Sequence, residues 1–436
     1  MSTAATGDHG EPRRRRLVLC LDGTWNSTYT RKNRDAAHYV IKPSNVLKLA
    51  RAILPRSPAD QRDQIVYYDI GVGSLATYPG LPNMLLGLSD KFLGGGRGAG
   101  FEGNVEDALG FITLNHLPGD EVFIFGFSRG AATAQAVTRF IAWAGGLPTK
   151  ADAYYLAPLF RMYVGTRGNT PIAEFLTKIN SDRAKETPAQ PPLDSFVPIT
   201  VTLLGVWDTV IAMGSPSRPG KPGARSFHVA RTLPTCVKHA CQALAIDELR
   251  YEFRPEIWEQ HSATQTLTQR WFAGVHSNIG GGYVDDGLAN VTFQWIRGHA
   301  AQHGLALDKA FANHYRGYAQ DRQYRSDNLF YRIWDSLPGR RGRGPRTLLG
   351  RPDTANLTLD RSVIRRIQAD PEQPDPEHPE QLRFPKLRRP YRPDNVLRYL
   401  ASKPDLHSYL LTLDVSNDLP TDVTDTITTL GSPPTS

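Results

Sequence analysis

The stretch PGDEVFIFGFSRGAATAQAV, residues 118–137, decides the fold. Pro118-Gly119-Asp120 is a turn signal, EVFIF over 121–125 is a mostly apolar run of strand length, and 131–144 (AATAQAVTRFIAWA) has the small and apolar residues of a helix. Between them GFSRG, residues 126–130, fits G-x-S-x-G. A strand before and a helix after form the context in which that pattern marks a nucleophile elbow. The tight turn lifts the Ser128 hydroxyl off the sheet, and the flanking glycines permit close backbone approach. The helix N-terminus then offers the Arg129 N–H and its dipole to a developing oxyanion. The plain alternative is an ordinary strand-to-helix turn with Ser128 as its N-cap.

Outward from this stretch, strands are expected over 17–21, 64–68, 201–206 and 270–275. Val46, Leu49, Ile53 and Leu54 have helical spacing and are stopped by Pro55. Alternating strands and helices predict an α/β fold with a mostly parallel sheet and helices on both faces. GAGFEG at 98–103 formally matches G-x-G-x-x-G, but no strand runs into it and no Gly-Lys-Ser/Thr follows, so a loop against another backbone is expected, with an amphipathic helix after it to about residue 116. Cys236 and Cys241 read as packing residues on a helix, and Cys20 as core. Residues 1–14 read as a disordered leader, 15–400 as one α/β domain, and 401–436 as a tail. Within the domain, 337–393 reads as a Pro/Arg-rich flexible insertion or arm, most strongly in DPEQPDPEHPEQ at 370–381.

Composition narrows the function classes. The chain has 436 residues and a formal charge of +8, with 40% hydrophobic and 22% charged residues, which describes a folded core with polar additions. Three cysteines form neither a disulfide framework nor a paired metal motif, so no metal and no organic cofactor is expected. Basic charge concentrates at 13–16 and again at 338–351, where Arg340, Arg341, Arg343, Arg346 and Arg351 occur without an acid. Both stretches read as solvated tails or loops. They lack interleaved aromatics, so specific nucleic-acid binding is not expected, while contact with an anionic membrane surface is. The apolar run after Arg16 is too short for a secretory signal of about 7–15 residues, and none approaches the roughly 18–20 of a membrane helix. A cytoplasmic protein follows, compatible with export by a dedicated secretion system. The oligomeric state is left open.

A serine hydroxyl needs a positioned base, and the base an orienting acid. Asp208 follows the strand VTLLGV and Trp207, and His276 follows WFAGV. Both stand after candidate strands, where an open α/β sheet gathers its ligands, and in the order serine, acid, histidine. Asp247, Asp285 and Asp286 are rival acids, and His228, His239, His299 and His303 rival bases. The second oxyanion donor is expected from Gly23-Thr24 after the first strand; the alternative there is a turn capped by Asp22.

Taken together, DGTWN (22–26), YYDIGVGS (67–74), GFSRG, GVWDTV (205–210), ALAIDELRYEF (243–253), GVHSNIGGGY (274–283), DRSVIRRI (360–367) and YRPDNVL (391–397) resemble one family. It is the α/β-hydrolase domain family that includes the type VI secretion phospholipase effectors of the first lipase class. The resemblance covers about residues 15–400. It implies an α/β-hydrolase-like fold and a triad of Ser128 as nucleophile, Asp208 as acid and His276 as base. The implied activity is hydrolysis of carboxylic esters, phospholipid acyl esters among them, with a small-molecule or lipid ester as substrate. The reading from another class is a catalytically inert α/β-hydrolase fold acting as a binding or toxin-accessory module.

Overall fold

The computed structural model describes residues 14–23, 29–31, 39–71, 99–186, 191–193, 196–210, 231–250, 253–325, 344–348, 355–369 and 390–406. The strands are β1 (Arg16–Leu21), β2 (Tyr29–Arg31), β3 (Tyr39–Ile41), β4 (Gln64–Asp69), β5 (Glu121–Phe127), β6 (Leu147–Pro148), β7 (Phe196–Val197), β8 (Val201–Trp207), β9 (Val237–Ala245), β10 (Thr266–Phe272) and β11 (Leu357–Leu359). Seven of them form one sheet in the order β11-β10-β9-β8-β5-β1-β4, and every pairing in it is parallel. β2–β3 and β6–β7 are two small antiparallel pairs.

The helices are α1 (Asn45–Ala52), α2 (Ala99–Asn115), α3 (Arg129–Ala144), α4 (Leu156–Thr166), α5 (Ile172–Glu186), α6 (His276–Gly280), α7 (Gly287–Gln302), α8 (Lys309–His314), α9 (Arg361–Gln368) and α10 (Asp394–Ala401). Alternation along the strands sorts side chains to two faces. Leu19, Leu21, Val122 and Ile124 pack with α2, α3 and α4, whereas Val18, Cys20, Phe123 and Phe125 pack with α1 and α7. The fold is thus an α/β-hydrolase-like parallel sheet covered on both sides. β1 lies between β4 and β5, so the chain reverses its direction of travel across the sheet there, and beyond the strands' C-terminal ends at such a point open α/β sheets gather their ligands.

Several expectations are corrected. Residues 99–103 of the GAGFEG stretch are the first turn of α2 rather than a loop, and a Cβ at Gly103 would meet nothing within 4 Å, so helix is sterically free there. Cys241 and His239 lie in β9, and Cys236 just before it, not on a helix. This strand sits between β8 and β10 and buries both faces, which erases its alternation. The strand expected over 270–275 is β10, which ends at Phe272, leaving Ala273 to Val275 as a short link to α6. Within 337–393, the described residues are built into the domain. β11 pairs with β10, and Val363 and Ile367 of α9 pack with Val396, Leu397 and Leu400 of α10 against Leu244, Ile246 and Trp271.

The basic stretches are not wholly solvated either. Arg16 is buried and pairs with Asp60 and Glu121, and Arg15 pairs with Asp120. The leader 1–13, Thr24, His228, Arg340, Arg341, Arg343, Arg351, the segment 370–381 and the tail after 406 lie outside the described residues. Among the described residues no helix is long and apolar enough to cross a membrane.

Candidate active site

β5 delivers Ser128 into a turn that only a glycine-flanked sequence can make. Ser128 has φ 57° and ψ −118°, a strained backbone for a non-glycine residue. A Cβ at Gly126 would lie 2.5 Å from the Gly130 carbonyl oxygen, and one at Gly130 would lie 2.0 Å from that of Leu21 at the end of β1. The two glycines therefore let α3 start against the neighbouring strands. The turn is tied to β8 by the Ser128 N–H, which donates to the Trp207 carbonyl at 3.1 Å. Ser128 occupies the N-cap position of α3, but its hydroxyl makes no capping hydrogen bond to the helix.

Asp208 directly follows β8 and is wholly buried, and its Oδ2 lies 2.7 Å from His276 Nδ1. Its Oδ1 accepts the Ala245 N–H at 3.0 Å. Arg346 reaches the same carboxylate, with Nη1 2.6 Å from Oδ1 and Nη2 3.0 Å from Oδ2. Burial alone would raise the Asp208 carboxyl pKa, but the Arg346 charge and the hydrogen bond with His276 outweigh it and hold the group well below the usual carboxylate range.

His276 opens α6 and is 5% exposed. Its ring stacks at a tilt on Phe127, 4.7 Å between centroids, and meets Phe253 edge-on at 5.0 Å. Its backbone N–H donates to Glu248 at 3.3 Å, and Glu248 in turn accepts from Arg250 Nε at 2.8 Å and Nη2 at 2.9 Å. A Cβ at Gly280 would strike the Phe127 ring at 2.0 Å, so this glycine makes room for the aromatic wall under the imidazole.

The structure thus joins Asp208 to His276 and sets the Ser128 turn on the residue preceding Asp208. Among the described residues no hydrogen bond joins the Ser128 hydroxyl to the imidazole. Catalytic hydrogen bonds of this kind are often made only once substrate is bound. The rival acids are engaged elsewhere. Asp247 accepts from the Gly274 N–H and the Tyr391 hydroxyl, Asp285 from Tyr324, and Asp286 pairs with Lys48. The described rival histidines have other partners: His239 stacks on His303 at 4.0 Å, and His299 packs on Trp295.

At the expected oxyanion loop one donor needs correction. The Gly23 N–H is taken by Asp22 Oδ1 at 2.7 Å, and Asp22 also accepts from Tyr68 at 2.8 Å and from Ser44. The turn capped by Asp22 is therefore present. Arg129 N–H stands at the start of α3, while its side chain is buried enough for the guanidinium pKa to fall to about 10. Among the described residues no group of three His, Cys, Asp or Glu side chains is placed to hold a metal ion.

The residue that the sequence did not reveal is Arg346. It sits in an arginine-rich stretch that reads as surface, yet it is 3% exposed and bonded to Asp208, Ala245 and Phe253. No local pattern separates it from Arg340, Arg341 and Arg343.

Residues 15–299 match the family model of the type VI secretion system (T6SS) phospholipase effector Tle1-like catalytic domain. No match was found among curated proteins. Among the solved structures that are similar are the following two. One is an uncharacterized protein from Pseudomonas aeruginosa, 14% identical, with TM-score 0.42 and coverage of 96% of this chain and 62% of that one. The other is a Tle1 effector bound to the VgrG spike of the type VI secretion system, 20% identical, with TM-score 0.32 and coverage of 65% and 55%. The chain covers less than two thirds of the length of either.

Proposed function

The chain belongs to the Tle1-like phospholipase effector family of the type VI secretion system, and from that premise we propose that it cleaves phospholipid acyl esters through Ser128 and an acyl-enzyme. The observation that carries the reading is the buried 2.7 Å contact between Asp208 and His276 beside the strained Ser128 turn. With Nδ1 donating to Asp208, the imidazole presents Nε2 as the unprotonated nitrogen. His276 takes the Ser128 proton as the hydroxyl attacks the ester carbonyl, and Asp208 stabilises the imidazolium that forms. The Arg129 N–H and the α3 dipole support the oxyanion. After the correction at Gly23, Thr24 is the candidate second donor. His276 then protonates the leaving alcohol and activates the water that hydrolyses the acyl-enzyme. No metal or organic cofactor enters this scheme.

The lipid rather than a soluble ester is favoured by the family and by the net charge of +8, since a basic residue near an anionic surface contributes about 1 kcal/mol of attraction. Fatty-acid release from short-chain soluble esters, lysophospholipids and diacylphospholipid vesicles is the test, comparing wild type with Ser128→Ala. Release from phospholipid that falls about 10⁴-fold in the variant is expected. A folded Ser128→Ala protein with undiminished activity would contradict the mechanism. A folded wild type that releases no fatty acid from any of them would favour the inert binding module.

A further inference from the structure

We propose that Arg346 is a positioning residue of the hydrolase site: its guanidinium clamps the carboxylate that orients His276 and offsets that carboxylate's charge beside the imidazole. This rests on the serine-hydrolase reading above. The fork is bidentate, Nη1 to Oδ1 at 2.6 Å and Nη2 to Oδ2 at 3.0 Å, and Oδ2 is the same atom that faces His276 Nδ1 at 2.7 Å. Nη1 also donates to the Ala245 carbonyl at 2.9 Å, and Nη2 to that of Phe253, whose ring meets the imidazole. Arg346 is itself held, because Asn395 of α10 donates to its carbonyl at 3.0 Å. A segment beyond residue 299 therefore reaches back to the carboxylate at the centre of the site.

Stability is a weak reason for such a pair. A buried ion pair roughly breaks even against apolar side chains of the same volume, because desolvation offsets the attraction. Its electrostatic consequence for a neighbouring imidazole is larger. An isolated carboxylate beside a histidine favours the imidazolium, and one already neutralised by a guanidinium does so much less.

The other charged or titratable groups around the pair are compensated. Glu248, at the His276 N–H, is paired with Arg250; Asp247 is tied to Gly274 N–H and the Tyr391 hydroxyl; and Tyr283 is a half-buried phenol. Arg346 is the cation that touches the catalytic carboxylate itself. It offsets the charge of that carboxylate where Oδ2 faces His276 Nδ1, and its fork fixes the carboxylate's orientation.

The experiment is the pH profile of kcat/KM for ester hydrolysis by the full chain, in wild type, Arg346→Met, Arg346→Gln and Arg346→Lys, with Ser128→Ala as the control. Loss of activity in Ser128→Ala establishes that the serine reading holds before the Arg346 comparison is made; a wild type without Ser128-dependent activity defeats that reading instead. With the reading intact, the acidic limb is expected to move up by about one pH unit in the Met and Gln variants. In Arg346→Lys, which keeps the charge and loses the fork, kcat falls while the limb stays near its wild-type position. Reduced activity in the neutral variants with the acidic limb unmoved would overturn the proposal and leave Arg346 a packing residue. If neither neutral variant folds, the Lys variant decides through turnover: kcat that falls while KM and the unfolding midpoint hold supports the clamp, and kcat that falls only together with the unfolding midpoint contradicts it.

Discussion

Ser128 keeps φ at 57° because Gly126 and Gly130 let β5 and α3 close on each other and because Trp207 accepts its N–H. Strain of this kind costs about 1–3 kcal/mol and persists where the surroundings over-determine it. The residues proposed for the chemistry, Ser128, Asp208 and His276, could be singled out in the sequence because each closes or follows an apolar run, and strand ends are where such a sheet gathers its ligands. Arg346 could not, since its burial depends on a carboxylate 138 residues away in the chain. The Gly23 amide was misassigned for a similar reason: only coordinates show that Asp22 turns back onto it. A pH dependence of stability follows from Asp208. Its folded carboxyl titrates below its unfolded value of about 3.9, so the unfolded state takes up protons first on acidification. Its stabilising contribution is full above that pH and is lost as pH falls toward the folded value. Urea midpoints of wild type and Asp208→Asn should therefore differ at pH 7 and converge below about pH 4. Asp247, raised by burial, contributes with the opposite sign, losing stability as pH rises past its unfolded value.

Among the elements, α1 and α7 are joined by a buried polar contact. Lys48 is wholly buried, and its Nζ lies 2.8 Å from Asp286 and 2.7 Å from Asn290. Burial lowers the Lys48 pKa, and Asp286 partly restores it. Removing one partner of such a pair leaves the other uncompensated, which costs about 3–5 kcal/mol when both are buried; Asp286 is partly exposed, so Lys48→Ala is expected to lose about 2–3 kcal/mol in denaturant unfolding. A loss within experimental error would show that the pair contributes nothing net. Legibility was uneven at this scale. β1, β4, β5 and β8 were readable as apolar runs bounded by turns. β9 was not, because a strand with neighbours on both edges and covered faces carries no period-two signal, and HACQALA suits a helix equally well by composition.

Across the whole molecule, the described residues of the stretch read as a loose arm, 344–348, 355–369 and 390–393, are packed into the domain. Leu244, Ile246 and Trp271 at the ends of β9 and β10 are covered by α9 and α10, and Asn395 fixes the Arg346 segment beside Asp208. Proline and charge suggested flexibility there; the few apolar positions that anchor it, Val363, Ile367, Val396 and Leu400, are spread too thinly to announce a core face. Ending the chain after residue 325 should consequently expose these side chains and abolish ester hydrolysis, although the family-matched residues 15–299 stay intact. A truncated protein that remained folded, monodisperse and active would contradict this assignment of the C-terminal elements. The account as a whole stands on an activated serine directly after β5. Intact-mass and peptide mapping after exposure to a fluorophosphonate probe tests that most directly: one adduct on Ser128 in the folded wild type, and none in Ser128→Ala, is the predicted result, whereas a folded wild type left unlabelled, or labelled at another residue, would contradict it.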